Sequence, residues 1–310
     1  MDQQPFHLRP IPRNSGSGKY HTRHIRDGKL SREYILYEPA ARPQEGAALV
    51  LVYHGGAAHA RSAIKLTGFS CLADEQSFWV VYPEGYKAHW GDGRGTTPPD
   101  KEGIDDSAFT ARLLDQLIPS LGVDPSRIFA TGMSNGGMFA HRLGLELSGR
   151  IAAIAPVAGT MARNLSLPAS LAAPVSVLQI HGTEDRLEPY TGGAINTVLG
   201  GTLRSFHETA AEWARLNRCR TDPKQLWPLP GAPGGMVVEV EVYQVETGAG
   251  VTSVTVHGGG HTWPGGPQYL PEPEVGQVCR SFDATALIWD FFIKHPRRNQ
   301  VTRYRSTPDQ

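Results

Sequence analysis

The residues Gly132-Met133-Ser134-Asn135-Gly136 follow the apolar run Ile128-Phe129-Ala130-Thr131 and lead into a helical period. This places a GxSxG pattern on a strand–turn–helix, the setting in which such a serine does chemistry. The flanking glycines let the chain turn tightly, so that Ser134 Oγ projects from the sheet end. The N-terminus of the following helix favours negative charge, and the N–H of Asn135 is placed to receive an oxyanion. The chemistry implied is attack of a serine on an acyl carbon.

A serine hydroxyl is a weak nucleophile until a base takes its proton and an acid orients the base. Both partners follow Ser134 in chain order. The apolar run Val175–Ile180 ends in His181-Gly182-Thr183-Glu184-Asp185, which puts Asp185 just past a strand, with Glu184 and Glu188 as rivals from spacing alone. The run Val251–Val256 ends in His257-Gly258-Gly259-Gly260-His261, a glycine loop able to carry an imidazole to the serine. His261 is the chosen base and His257 its competitor. A second oxyanion donor is expected from the loop after an early strand. Tyr53-His54-Gly55-Gly56-Ala57 supplies it, with the N–H of Gly56 preferred and Ala57 the alternative.

These residues must be held by a scaffold that the rest of the chain spells out. The alternating segment Arg32–Tyr37, the short apolar runs Ala47–Tyr53, Phe78–Tyr82, Ile128–Thr131, Ile151–Val157 and Val175–Ile180, and the strand-like segments Val237–Gln244 and Val251–Val256 read as strands. Helical periods fall between or after them at Ser107–Leu121, Asn135–Leu147, Ser205–Asn217 and Asp283–Ile293. Alternation of this kind predicts an α/β fold, a mostly parallel sheet covered by helices on both faces. The Pro/Gly-rich stretch Thr221–Gly235 reads as a surface excursion. Asp105 and Asp106 precede a helix and read as its capping acids, not as a metal site.

Composition narrows the function classes. The chain has 310 residues, 40% hydrophobic and 19% charged, with 35 glycines and 24 prolines, so an ordered scaffold with many loops is expected. Thirty basic and thirty acidic residues cancel, which gives no reason to expect nucleic acid as a partner. Six Lys/Arg against two acids in residues 1–30, and five against one in residues 291–310, read as solvated basic tails. No apolar run reaches the ~18 residues of a membrane span, and the opening Met1-Asp2-Gln3-Gln4 lacks the apolar core of a secretory signal. Cys71, Cys219 and Cys279 allow at most one disulfide and show no zinc spacing. Gly16-Ser17-Gly18-Lys19-Tyr20 lacks the first glycine and the final Ser/Thr of a phosphate loop, and His21 and His24 have no partner ligand, so neither a nucleotide cofactor nor a metal is expected.

Taken together, the motifs resemble the polyhydroxybutyrate-depolymerase-like esterases, a family that also includes feruloyl and acetylxylan esterases. The carriers are Leu51-Val52-Tyr53-His54-Gly55-Gly56, Ala73-Asp74-Glu75, Tyr82-Pro83-Glu84-Gly85, Trp90-Gly91-Asp92-Gly93-Arg94, the serine turn, His181-Gly182-Thr183-Glu184-Asp185 with Pro189-Tyr190, and Gly259-Gly260-His261-Thr262-Trp263-Pro264-Gly265. The resemblance implies an α/β-hydrolase fold without a large cap domain, no cofactor, a Ser134–Asp185–His261 triad and an ester substrate, polymeric esters included. It further implies Trp90 and Trp263 as walls of the substrate site and a secreted, extracellular enzyme. It leaves the oligomeric state open. The expected organisation is a basic tail over residues 1–17, one catalytic domain over 18–296 and a second basic tail over 297–310. Two features depart from the family: Gly56 stands where many depolymerases carry cysteine, and no linker and polymer-binding module follows the domain.

Overall fold

Residues that alternate between two apolar environments along one strand dictate a sheet buried on both faces. In the strand Ala47–Tyr53, Val50 and Val52 join one core cluster while Leu49, Leu51 and Tyr53 join another, as the two-residue period of a strand requires. The computed structural model describes residues 12, 16–220, 224–229, 236–243 and 249–297. Its strands are β1 (Lys19–Asp27), β2 (Leu30–Glu38), β3 (Ala47–Tyr53), β4 (Trp79–Pro83), β5 (Val123–Met133), β6 (Ala153–Val157), β7 (Ser176–Gly182), β8 (Gly193–Ala194), β9 (Thr202–Leu203), β10 (Lys224–Leu229), β11 (Val238–Tyr243) and β12 (Val251–Val256). Its helices are α1 (Ala60–Thr67), α2 (Phe69–Gln76), α3 (Pro98–Glu102), α4 (Asp106–Leu121), α5 (Asn135–Glu146), α6 (Phe206–Leu216), α7 (Glu272–Val275) and α8 (Ala284–Lys294).

The main sheet runs β1-β2-β4-β3-β5-β6-β7-β12-β11-β10. From β4 to β12 neighbours are parallel; the pairs at the two edges are antiparallel. Helices α1, α2 and α8 pack on one face, where Phe129 of β5 stacks on Phe292 with centroids 4.7 Å apart and Phe78 stacks on Trp289 at 3.8 Å. Helices α4, α5 and α6 cover the other through Phe109, Phe139 and Trp213. This is the α/β-hydrolase arrangement, and it directs the C-terminal ends of β3, β5, β7 and β12 to one side of the sheet. The connection from β7 to α6 carries nothing larger than the two-residue strands β8 and β9.

Two stretches differ from the sequence reading. Lys19–Asp27, placed inside the catalytic domain but read as no strand, its charges counted with those of a solvated basic end, is an edge strand that pairs with β2 over nine positions. It hides from the hydrophobic pattern because an edge strand is largely solvated, and its charges answer β2: His21 Nε2 lies 3.0 Å from Glu38 and His24 Nε2 3.4 Å from Glu33. The stretch read as a surface excursion contains β10, the opposite edge. Its proline, Pro228, sits where the ladder with β11 shifts register, a place where a strand tolerates a missing N–H. The calls on residues 1–11, 13–15 and 298–310 lie outside the described residues. Cys71, Cys219 and Cys279 form no disulfide with one another, and no helix among the described residues is long and apolar enough to cross a membrane.

Candidate active site

Ser134 closes β5 and opens α5 with φ 59° and ψ −131°, a left-handed conformation that costs a non-glycine residue energy. The turn is tight enough that a Cβ at Gly136 would fall on the Tyr53 carbonyl, and one at Gly132 would lie 2.6 Å from Gly136. Glycine at both places is therefore a steric requirement. The turn is tied down by Ser134 N–H donating to Val157 O at 3.0 Å and Met138 N–H donating to Ser134 O at 2.8 Å.

The loop after β3 lies against this turn. A Cβ on Gly55 would sit 3.5 Å from Ser134 Cβ, and one on Gly56 would sit 3.6 Å from Asn135 Cβ. The N–H of Ala57, the alternative oxyanion donor, is committed to Ala88 O at 2.9 Å. His54 fixes the loop from beneath. Gly85 N–H donates to its Nε2 at 2.9 Å, which leaves Nδ1–H to donate to Gly55 O at 2.8 Å. Burial lowers its pKa to about 4, so the ring is neutral. Asn135 pins the loop after β4 with its side chain: Oδ1 accepts from Trp90 N–H at 2.9 Å, while Nδ2 donates to Trp90 O and to Asp92 Oδ2.

Asp185 follows β7 and His261 follows β12, adjacent parallel strands, so residues 76 apart in sequence meet. His261 Nδ1 donates to Asp185 Oδ2 at 2.7 Å, and both side chains are buried. Asp185 Oδ1 accepts from the N–H groups of Leu187 and Glu188, and His181 Nε2 approaches Oδ2 at 3.2 Å. Desolvation alone would raise the Asp185 pKa, but the charges and hydrogen bonds of His261 and His181 hold it well below the usual carboxylate range. Burial would likewise favour a neutral His261, yet Asp185, with Glu188 behind it, raises that pKa. The rivals sit elsewhere: Glu184 is exposed, and exposed His257 points to Glu239 at 3.0 Å.

A serine on a strained turn, an acid–imidazole pair and a glycine loop thus lie at one end of one sheet. Residues 53–207 match the phospholipase/carboxylesterase family. NocK of Nocardia uniformis subsp. tsuyamanensis, a protein named as an esterase, is 31% identical over 276 residues, covering 85% of this chain and 79% of that one. The chain belongs to the phospholipase/carboxylesterase family. It is an esterase of the α/β-hydrolase superfamily. Feruloyl esterase B of Piromyces equi is 33% identical over 162 residues, 51% of this chain and 29% of that longer protein. In fold, the esterase is similar to the acetyl xylan esterase of Aspergillus awamori, with a TM-score of 0.58 at 17% identity, covering 78% of this chain and 94% of that one.

The esterase surrounds Ser134 and His261 with a cleft of about 550 Å³. Its walls are mainly apolar, among them Leu66, Leu187, Leu199 and Tyr269, with Val198 and Leu270 exposed at the mouth. Neither tryptophan expected as a substrate wall lines it. Trp90 is fully buried, donates Nε1–H to His54 O at 3.0 Å and stacks on Phe139. Trp263 is equally buried, with Nε1–H on Thr285 Oγ1 at 3.0 Å and its ring edge-on to Phe69. Both rings brace the loops that carry Asn135 and His261, because an indole with an internal acceptor packs better than it lines water. Asp105 caps α4 through Ala108 N–H as expected, while Asp106 is buried on Arg32 at 2.7 Å. Among the described residues no cluster of three or more His, Cys, Asp or Glu side chains is arranged to hold a metal ion.

Glu188 is the residue whose place sequence reasoning missed. It entered as a rival to Asp185; instead its Oε1 accepts the Ser134 hydroxyl at 3.1 Å, with the side chain buried against the cleft. No local pattern announces this, since contact depends on β5 and β7 flanking β6 in the sheet. Burial lifts its pKa to about 7, against the opposing pull of His261 and Arg94. A carboxyl that binds its proton more tightly when folded contributes its full share of stability below the unfolded value of 4.5 and loses it as pH rises toward 7. The ionised form then costs about 3 kcal/mol. Glu188→Gln is accordingly expected to raise the unfolding free energy at pH 8 by up to about 3 kcal/mol and to leave it nearly unchanged at pH 4.5. Urea unfolding at the two pH values measures this; equal destabilisation at both would show that the carboxylate bears no such penalty.

Proposed function

We propose that the esterase hydrolyses carboxylic esters through Ser134, His261 and Asp185, by way of an acyl-enzyme. Ser134 Oγ attacks the ester carbonyl, His261 accepts the hydroxyl proton, and Asp185 holds the ring with Nδ1 protonated so that Nε2 is the basic nitrogen. The N–H groups of Asn135 and Gly56 receive the oxyanion, helped by the positive end of α5. His261 then protonates the leaving alkoxide and activates the water that frees the acid. The observation that carries this reading is the strained Ser134 turn sharing one cleft with a buried His261–Asp185 pair at 2.7 Å. Strain of this kind persists where function repays it.

The proposed substrates are esters of the polyester type, made of hydroxyalkanoate units. An apolar cleft with Val198, Tyr269 and Leu270 at its mouth suits an acyl chain that continues out of the site, and the sequence motifs resemble those of polyhydroxybutyrate-depolymerase-like enzymes. The same walls accept an aryl acyl group, and a feruloyl esterase is among the relatives.

Turnover is to be measured on p-nitrophenyl esters of increasing acyl length, then on suspended polyhydroxybutyrate, methyl ferulate and acetylated xylan. Rising kcat/KM with acyl length and release of soluble hydroxy acid from the polymer are expected. Turnover of methyl ferulate or acetylated xylan with an inert polymer would replace the polyester reading by the plant-ester one. A protein that binds these esters and hydrolyses none would be a binding protein built on a hydrolase fold.

A further inference from the structure

Among the described residues, the hydrogen bond of the Ser134 hydroxyl goes to Glu188 Oε1 at 3.1 Å and none to His261. Glu188 is placed by the loop that presents Asp185: its N–H is held by Asp185 Oδ1 at 2.8 Å and its carbonyl by His181 Nε2 at 2.9 Å. The other carboxylate oxygen, Oε2, is buried with no hydrogen-bond partner among the described residues. A buried, half-satisfied carboxylate is costly, and an apolar side chain of the same size would suit the apolar cleft better. Groups that destabilise a fold in this way gather at functional sites.

Resting on the Ser134–His261–Asp185 reading, we propose that Glu188 is a further catalytic residue: a second carboxylate that holds the Ser134 hydroxyl in the free enzyme and, by its charge beside His261, sets the pH at which the serine becomes reactive. The groups that face it are Ser134 from the β5–α5 turn, Arg94 from the loop after β4, His181 and Asp185 from β7 and its loop, and His261 and Tyr269 from the segment after β12. When an ester enters, the hydroxyl turns from Glu188 Oε1 to His261 Nε2. The Oγ–C bond forms, the hydroxyl proton passes to Nε2, and the same proton later leaves with the alcohol. Glu188 neither gains nor loses a proton in this step. Once pH rises above about 7 and Glu188 is ionised, its negative charge and that of Asp185 both favour the imidazolium, so in that range the ring keeps its proton to higher pH than Asp185 alone would cause.

The sign of the effect follows. The acid limb of kcat/KM reports deprotonation of the base in the free enzyme. Removing the Glu188 charge lets His261 deprotonate at lower pH, so in Glu188→Gln and Glu188→Leu the limb should move down by about one pH unit. The ratio of kcat/KM at pH 7 to that at pH 9, the range in which Glu188 carries its charge, should rise several-fold. The same limb is to be read from the rate at which a fluorophosphonate labels Ser134, which works even when turnover is slow. A limb that stays at the wild-type pH in both folded variants overturns the proposal. So does loss of turnover and labelling at every pH in a folded variant, which would make Glu188 a structural support only. Two substitutions of different polarity keep the test available should one fail to fold. A fully active Ser134→Ala protein would instead sink the underlying triad reading, whatever the Glu188 variants do.

Discussion

Replacing Ser134 with alanine is expected to lower kcat on a p-nitrophenyl ester by about 10^4- to 10^6-fold, leaving the fold intact. The change removes one oxygen, and with it the atom that must form the covalent bond. The oxyanion donors and cleft remain, so a residual rate above water is anticipated. KM should change little, because the hydroxyl contributes little to ground-state binding. Alanine adds no bulk to the left-handed turn, and the two backbone bonds that hold it, to Val157 and from Met138, involve no side chain. Steady-state rates with thermal unfolding alongside decide the matter. A folded variant retaining more than about a tenth of wild-type turnover would exclude Ser134 as the nucleophile.

Asp185→Asn should lower kcat by about 10^4-fold near neutral pH, and the reason is the placement of a single proton. The Asp185 carboxylate can only accept, so it fixes the His261 proton on Nδ1 and leaves Nε2 basic. In the variant, an amide nitrogen is available to donate to Nδ1, which moves the ring proton to Nε2 and removes the base. The carboxamide also removes the carboxylate that raises the His261 pKa most, so the acid limb of kcat/KM should move to lower pH. The two effects separate in a pH profile: a lowered plateau reports the tautomer, a displaced limb the charge. A plateau within tenfold of wild type would show that Asp185 does not orient the ring. Asp185 also lends the fold stability through its lowered pKa. That contribution is present above the unfolded value of 3.8 and lost as pH falls through the folded one, so the variant should be less stable at pH 7 than wild type and converge with it in strong acid.

Much of this architecture is written locally. The continuous apolar run at Ala47–Tyr53 appears as a strand with the same bounds, because a strand buried on both faces is apolar along its length; Val251–Val256 also keeps its bounds, its valines interspersed with small Thr and Ser side chains that are buried with them. The serine turn is equally local: glycines at 132 and 136 are demanded by backbone approach within a few residues. Chain order alone placed an acid and an imidazole after later strands, and parallel crossovers send all such strand ends to one side.

What stayed hidden is whatever depends on a neighbour far away in sequence. The edge strand Lys19–Asp27 carries little apolar pattern, since its outer face meets water and its partners lie on β2. Trp90 and Trp263 read equally well as substrate walls or as packing until the acceptors His54 O and Thr285 Oγ1 are located, and only the folded chain supplies those. The sequence reading preferred Asp185, with Glu184 and Glu188 as rivals from spacing alone, three acids within five residues of one loop. Tertiary structure separates them by burial and by the atom each meets: solvent for Glu184, the His261 ring for Asp185, the Ser134 hydroxyl for Glu188. Sequence thus determined the fold and the residue types available for the chemistry, because strand burial and turn sterics are local. The assignment of each carboxylate to its partner was decided by the packing of β5, β7 and β12, where charge, burial and distance act across the sheet.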